Sequence, residues 1–274
     1  MHICDIIFEL TFWVLKMRLD IYITAAGAAK SRNRAQIIIS EGKIFVNGKK
    51  ITKSSYEVVE GDKVELRGED IRYVSRGGLK LEHAIDSFNI DCTDRICIDI
   101  GASTGGFTDC LLQHGAKKVF AVDSGRDQLD RSLLNDERVV SIESFNAREL
   151  DFDTIGQLCS LAVMDVSFIS QTLLYDSVCR VLSDEGIFVS LIKPQFEAGR
   201  DKIGKNGIVR DLDAHVSVMI RIASESQRAG LRLVRLIRSP ITGGDGNVEY
   251  LGLFCKGTNT IVPDYDIDKV IYGK

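Results

Sequence analysis

The chain has 274 residues, 45% of them apolar and 27% charged, with a formal net charge of −4 and seven scattered cysteines. Such a composition fits a globular protein of one large or two unequal domains, and it excludes a disordered chain, a disulfide scaffold and a repeat array. No bulk positive charge draws the chain to nucleic acid, so any basic binding surface has to be local.

Residues 1–16, MHICDIIFELTFWVLK, are apolar but too short to span a bilayer, and they lack the basic start and small-residue cleavage site of a signal peptide. They read as a non-native or disordered extension, with Met17 as the natural first residue; N-terminal sequencing of the native protein checks this. Residues 17–70 form a small basic module. From 17 to 68 ten Lys/Arg face six Asp/Glu, so the rest of the chain carries about −8. RLDIYITAAG predicts a short helix that offers Ile21, Ile23 and Ala26 to the core and stops at Gly27. Ser31 caps a second helix, SRNRAQIIISEG, that ends at Gly42. KIFVNGKKI is a strand, an Asn-Gly turn and a second strand, and VVEGDKVEL adds a further turn and strand. Arg32 and Arg34 fall in the first turn of the second helix, where the helix dipole disfavours cations, so a partner anion explains them better than a solvated face. Lys43, Lys49, Lys50 and Lys53 cluster on or beside the hairpin.

From 75 to 257, apolar strand candidates at 96–100, 118–122, 139–143, 161–164, 187–192, 232–237 and 250–254 alternate with helical stretches. The alternation predicts an α/β fold, a Rossmann-like, mostly parallel sheet with helices on both faces. Ligands gather at the carboxyl ends of such strands. Asp99, Gly101, Asp123, Asp165 and Lys193 all fall there.

ICIDIGASTGGF, 96–107, followed by VFAVDSG, 119–125, is a strand, a glycine-rich loop, a helix and a second strand capped by an acid placed for a ribose diol. Glycines at 101, 105 and 106 depart from the G-x-G-x-x-G that a pyrophosphate needs, and Asp99 would repel one. Asp99 would instead hold an ammonium, directly or through water. S-adenosylmethionine, with an amine, a sulfonium and no phosphate, fits better than a dinucleotide; a structural glycine turn is the remaining alternative. The expected cofactor set is Asp99, Gly101, Ser103, Thr104, Gly105, Gly106, Phe107, Asp123, Asn146 and Asp165, with SFNAR at 144–148 beside the adenine. Phe107 reads equally well as core. Cys110 and His114 lie one helical turn apart, but two ligands do not make a metal site.

Lys80 lies in YVSRGGLKL, Asp165 in LAVMDVSFIS, Lys193 in FVSLIKPQFE and Glu249 in NVEYLGLF. If the last strand runs antiparallel to its neighbours, its start shares the rim with their ends. Singly, Lys80 and Glu249 read as surface charges, whereas Asp165 and Lys193, placed after apolar strands, need a purpose or a partner.

The first module, with its order of SR before a helix, then VNG, then V-x-x-GD, resembles the αL RNA-binding domain named for ribosomal protein S-four. SRGGLKL, DIGASTGGFTDCLL, VDSG, NAR, MDVSFIS, LIKPQFEAG and GNVEYL then follow in the order seen in the TlyA family, which joins such a domain to an FtsJ-like ribose methyltransferase fold. The resemblance spans 17–256, places a short linker at 71–74 and a methyltransferase domain at 75–257, and leaves a tail at 258–274. It implies methyl transfer from S-adenosylmethionine to a ribose 2′-hydroxyl of ribosomal RNA, of the cytidine type, in small and/or large subunits. It also implies a cytoplasmic monomer or weak dimer that uses no metal and no membrane. Lys80, Asp165, Lys193 and Glu249 take the places of the family's K-D-K-E tetrad. Lys193 then either takes the hydroxyl proton or, charged, stabilises the developing alkoxide. Arg18, Arg32, Arg34, Lys43, Lys49 and Lys50 are expected on RNA. So are Arg200, Lys202 and Lys205 in a mobile, glycine-punctuated loop, EAGRDKIGKNGIVRD. A non-catalytic ribosome-assembly protein is the competing class. A membrane-lytic protein is a further one, towards which residues 1–16 alone point.

Overall fold

The computed structural model describes residues 16–29, 32–40, 42–67, 72–244, 246–257 and 262–273. Residues 1–15, the expected cap Ser31 and linker residue Ile71 lie outside the described residues. The chain divides into two compact units, one up to Asp70 and one from Ile71 onward.

The first unit runs β1 (Met17–Arg18), α1 (Leu19–Ala25), α2 (Arg32–Ser40), β2 (Ile44–Val46), β3 (Lys49–Ile51), β4 (Glu57–Val58) and β5 (Val64–Leu66). β2 is the middle strand of an antiparallel β3-β2-β5 sheet, and β1 pairs antiparallel with β4. Asn47 and Gly48 both have positive φ, 51° and 75°, as a two-residue type I′ hairpin turn requires. Leu19, Tyr22, Ile23, Ile38, Ile39, Ile44 and Val46 make its core. Ile21, expected inside, is exposed. The helix begins at Leu19, and the 3.6-residue period then turns Leu19, Tyr22 and Ile23 inward instead.

The buried Asp20 organises the basic end of this unit. Its carboxylate accepts from Arg18 Nε (3.0 Å) and Nη2 (3.1 Å), Arg32 Nε (2.9 Å) and Gln36 Nε2 (2.9 Å). The anion that Arg32 needs at a helix N-terminus is therefore supplied by the chain itself. The Arg18 hydrogen bond, with those of Gln36 and Arg32, outweighs burial and holds the Asp20 carboxyl well below the usual carboxylate range. Its folded pKa is depressed, so its stabilisation is present above the unfolded value near about 3.9 and is lost as pH falls below it. Asp20→Ala should cost about 1–3 kcal/mol at pH 7, since both arginines are half-exposed and rehydrate. In urea unfolding monitored by circular dichroism, the gap to wild type should narrow between pH 7 and pH 3; a gap independent of pH would contradict this.

The second unit opens with α3 (Gly77–Phe88), β6 (Ile96–Ile100), α4 (Gly106–Gln113), β7 (Lys118–Val122), α5 (Arg131–Leu134) and β8 (Val139–Ile142). It continues with α6 (Phe152–Ile155), β9 (Cys159–Met164), α7 (Tyr175–Val181), β10 (Leu182–Ile192), α8 (Pro194–Glu197) and α9 (Leu212–Arg228), and closes with β11 (Leu231–Arg238), β12 (Tyr250–Lys256) and α10 (Ile267–Tyr272). The sheet order is β11-β12-β10-β9-β6-β7-β8. β10, β9, β6, β7 and β8 are mutually parallel, and β12 runs antiparallel to both β10 and β11. Buried apolar clusters cover the two faces, one with Leu81, Leu111 and Val189, the other with Ile98, Met164, Phe188 and Phe254.

Two consequences of this topology place a site. The chain builds outward from β6 to β8, then returns to the opposite side of β6 with β9. The β6/β9 boundary is thus the switch point, where the two connections diverge and leave a crevice. The antiparallel β12 pairs Tyr250 with Ile192, so Glu249, one residue earlier, comes to the same rim as Lys193, one residue later. The tail is not idle: Ile271 enters the core and the Tyr272 hydroxyl donates to Asp213 on α9. The large unit therefore extends beyond the boundary at 257 read from the sequence. Among the described residues, no helix is long and apolar enough to cross a membrane.

Candidate active site

A cavity of about 400 Å³ opens at the switch point, lined by Gly101 and Ser103 after β6, Asp123 and Ser124 after β7, Phe145–Ala147 after β8, and Asp165–Ile169 after β9. Gly101 has φ +84°, and a Cβ there would sit 2.5 Å from the Asp165 carbonyl oxygen, so only glycine lets these two loops touch. Asp123 accepts from the backbone N–H of Ser103 (2.8 Å) and of Gly125 (2.6 Å), one on each oxygen. Those bonds fix the carboxylate and leave a second lone pair on each oxygen for a diol. The Asn146 side chain caps the following 3₁₀ turn by accepting from Arg148 N–H. Two acids and no Lys or Arg line the cavity. That donor set suits a cationic nucleoside and opposes a pyrophosphate.

The expected cofactor set divides. Gly101, Ser103, Asp123, Asn146 and Asp165 line the cavity; Asp99, Thr104, Gly105, Gly106 and Phe107 do not. Asp99 is fully buried beneath it. One oxygen accepts from the Thr108 hydroxyl (2.7 Å), and the other has no hydrogen-bond partner among the described residues. Burial pushes its pKa up to about 7, the Thr108 bond opposing and the charge of Asp165 adding to the rise. Phe107 is a core residue, packed with Tyr73, Leu81 and Leu111. The glycine pair serves packing. A Cβ on Gly105 would lie 2.2 Å from Leu133 Cδ1, and one on Gly106 would lie 2.2 Å from Ser75 Oγ and 3.0 Å from Gly78 N. Gly106 thereby lets the start of α3 abut α4, which sets where Lys80 emerges.

The four charged residues form two ion pairs. Lys80 Nζ lies 2.5 Å from Glu249 Oε2, both nearly inaccessible to solvent. Lys193 Nζ lies 2.6 Å from Asp165 Oδ1, in charge contact without hydrogen-bond alignment, and donates to Ser167 Oγ at 2.8 Å. Gln195 joins the Lys80–Glu249 pair, its Nε2 donating to Glu249 Oε1 at 3.4 Å. The charges following apolar strands thus have partners, and a lysine of each pair balances an acid. Gly243 backs the group, since a Cβ there would sit 2.6 Å from Glu249 Oε1.

Gln195, Ser167 and Phe168 are absent from the sequence-derived set. Phe168 is 91% exposed, has φ +65° and lies 5.0 Å, ring to ring, from Phe196. A left-handed conformation at a bulky residue is sparsely populated and persists only where the surroundings hold it. The signal of Phe168 in the sequence is an aromatic three residues after the strand-ending Asp165, in DVSFIS.

The basic residues sit as follows. In the first unit Lys49 and Lys50 are exposed on β3, Arg34 and Lys43 are half-buried, and Arg18 and Arg32 bond Asp20 with side chains 41% and 55% exposed. In the second unit Arg200, Lys202 and Lys205 are exposed. Their loop, expected to be mobile, is folded into two 3₁₀ turns. The buried Asn247 ties it to the start of β12, donating to Gly207 O (3.0 Å) and accepting from Val209 N–H (3.1 Å).

The family model of the FtsJ-like methyltransferase matches residues 73–256, and that of the S4 domain matches 17–64. Hemolysin A of Brachyspira hyodysenteriae is 46% identical over 87% of this chain and 99% of its own. The 16S/23S rRNA (cytidine-2′-O)-methyltransferase TlyA of Mycobacterium tuberculosis (strain CDC 1551 / Oshkosh) is 38% identical over 86% of this chain and 88% of its own. Among solved structures, a protein from Streptococcus thermophilus described as a hemolysin superposes with a TM-score of 0.74 at 41% identity, covering 95% of this chain and 96% of that one. With an S4 domain, an FtsJ-like sheet and relatives of this similarity along nearly their whole length, the chain belongs to the TlyA family of methyltransferases.

Proposed function

We propose that the protein transfers a methyl group from S-adenosylmethionine to the 2′-hydroxyl of a ribose in ribosomal RNA, with cytidine as the nucleoside class. The observation that carries this reading is the junction of an acid-lined nucleoside cavity with two lysine–carboxylate pairs at one sheet rim. Asp123 would hold the ribose diol of the donor, Asn146 and Phe145 would flank its base, and Asp165 would supply negative charge toward its cationic end. When bound, the donor supplies an electrophilic methyl on a positively charged sulfur.

The chain's own residues then do three things. Lys193 donates to Ser167 and lies in charge contact with Asp165, which aims its ammonium at the reacting oxygen. As the new C–O bond forms, the departing hydroxyl proton becomes strongly acidic, so a carboxylate suffices to take it. Asp165 Oδ1, which carries no hydrogen bond, is the acceptor. The buried Lys80–Glu249 pair forms the wall against which the ribose is oriented, and orientation supplies much of the rate. Phe168 offers a face on which a base can stack. Arg18, Arg32, Arg34, Lys43, Lys49 and Lys50, together with Arg200, Lys202 and Lys205, contribute phosphate contacts that position RNA without reading its sequence. The tetrad is complete and paired, which favours catalysis over a purely RNA-binding role.

Unmethylated small and large ribosomal subunits, incubated with methyl-labelled S-adenosylmethionine and analysed by nucleoside digestion, should carry label on a ribose oxygen of cytidine. Label on a base would overturn the reaction; label on another ribonucleoside's ribose would overturn the cytidine preference alone.

A further inference from the structure

We propose that Glu197 is a positioning residue that sets the geometry of the reacting groups from outside the cavity, by locking the loop after β9 onto the turn after β10; this rests on the methyltransferase reading above. Two segments, 165–171 and 193–197, meet along one seam. At the reacting end Lys193 touches Asp165 and Ser167. In the middle the rings of Phe168 and Phe196 pack at 5.0 Å. At the far end Glu197 Oε2 accepts from Ser170 Oγ at 2.7 Å, and Oε1 accepts from the backbone N–H of Gln171 at 2.8 Å. The contacts keep chain order on both sides, so displacement at one end is passed along the seam.

The far end is the anchored one. Arg221 on α9 donates Nη2 to Glu197 Oε2 (2.5 Å) and to the Glu197 carbonyl oxygen (2.9 Å). Gln171 Oε1 accepts from the Ser190 hydroxyl on β10 at 2.6 Å. The Glu197 side chain is only 2% exposed, and a carboxylate so buried holds its donors firmly, because losing any of them strands a charge. Between the two ends sits Phe168 in its left-handed conformation. Such strain persists only where the surroundings over-determine it. Here the Ser167–Lys193 bond and the Ser170–Glu197 bond bracket it. Releasing the Glu197 end lets residues 166–170 relax, which draws Ser167 away from Lys193 and Phe168 away from the rim.

The test compares wild type with Glu197→Gln and Ser170→Ala in the full chain. Glu197→Gln keeps the side-chain shape and an acceptor for Gln171 but discharges the tie to Arg221; Ser170→Ala removes one bond and leaves that ion pair. Single-turnover methyl transfer should slow about tenfold or more in Glu197→Gln, by the sensitivity of oriented reactions to small displacements, with an altered pH–rate profile as Lys193 loses its Ser167 partner. Amide hydrogen exchange over 166–171 should speed up, while that of β9 and β10 stays at the wild-type level. A folded Glu197→Gln protein with unchanged rate, pH profile and exchange would overturn the proposal, as would a rate loss matched by the fraction unfolded. If Glu197→Gln does not fold, Ser170→Ala decides: faster loop exchange with slower transfer supports the lock, and neither overturns it. Absence of transfer by wild type would overturn the methyltransferase reading instead, and the exchange measurement would still report on the lock.

Discussion

Lys193→Ala should lower methyl transfer by about 10²-fold or more, the loss expected when an oriented charge or proton-handling group is taken from a transition state, while S-adenosylmethionine binding stays within a few-fold of wild type. The split follows from where the side chain sits. Lys193 lies outside the residues lining the cavity, whereas its partner Asp165 lies inside. Removing the lysine leaves Asp165 without its cation and Ser167 without its donor, so both reacting-side contacts vanish together. Lys193→Arg retains the charge but replaces a compact ammonium by a planar fork, and it should recover little. Labelled-methyl transfer and calorimetric donor binding on the same preparations give the two numbers. Near-normal turnover in Lys193→Ala would remove the residue from the chemistry.

Asp123→Ala should weaken donor binding by about 100-fold, since two charge-assisted hydrogen bonds of about 1.5 kcal/mol or more each are lost. The effect is large because the carboxylate is already aimed: the amides of Ser103 and Gly125 hold it before any ligand arrives. Pre-orientation of this kind spares the binding step the entropy of ordering a side chain. The substitution also strands those two amides, so donor affinity is to be read on protein shown to be folded by its circular dichroism and thermal transition. Isothermal titration with S-adenosylmethionine measures the affinity; a dissociation constant within threefold of wild type would contradict the assignment of Asp123 to the ribose diol.

Much of the α/β architecture was legible because its signals are local. Apolar runs ended by Asp99, Asp123, Asp165 and Lys193 mark strand ends wherever the strands lie, and Asn47-Gly48 announces a hairpin through its tolerance of positive φ. Glycine at 101 was legible as a close approach, though not that its neighbour would be the Asp165 carbonyl. Gly105, Gly106 and Phe107 look like the same cofactor loop, yet they face α3, the leucines after β7 and the core. A glycine permits approach by anything, and the sequence does not name what approaches. Arg32 posed a charge anomaly whose answer, Asp20, lies 12 residues earlier on another helix.

What the sequence determined by itself is therefore which segments become strands and helices, which residue types stand at the strand ends, and the two-module order. These depend on periodicity and on side-chain chemistry within a few residues. Only the tertiary structure decided which of those ends meet. The pairing of Lys80 with Glu249, 169 residues apart, requires β12 to insert antiparallel between β10 and β11, and strand order is a global minimum of packing that no local pattern encodes. The same holds for Phe168, whose exposure and strain are held by contacts from a neighbouring segment. A side chain's role at the rim is set by its neighbours in space, and those are chosen by the fold as a whole.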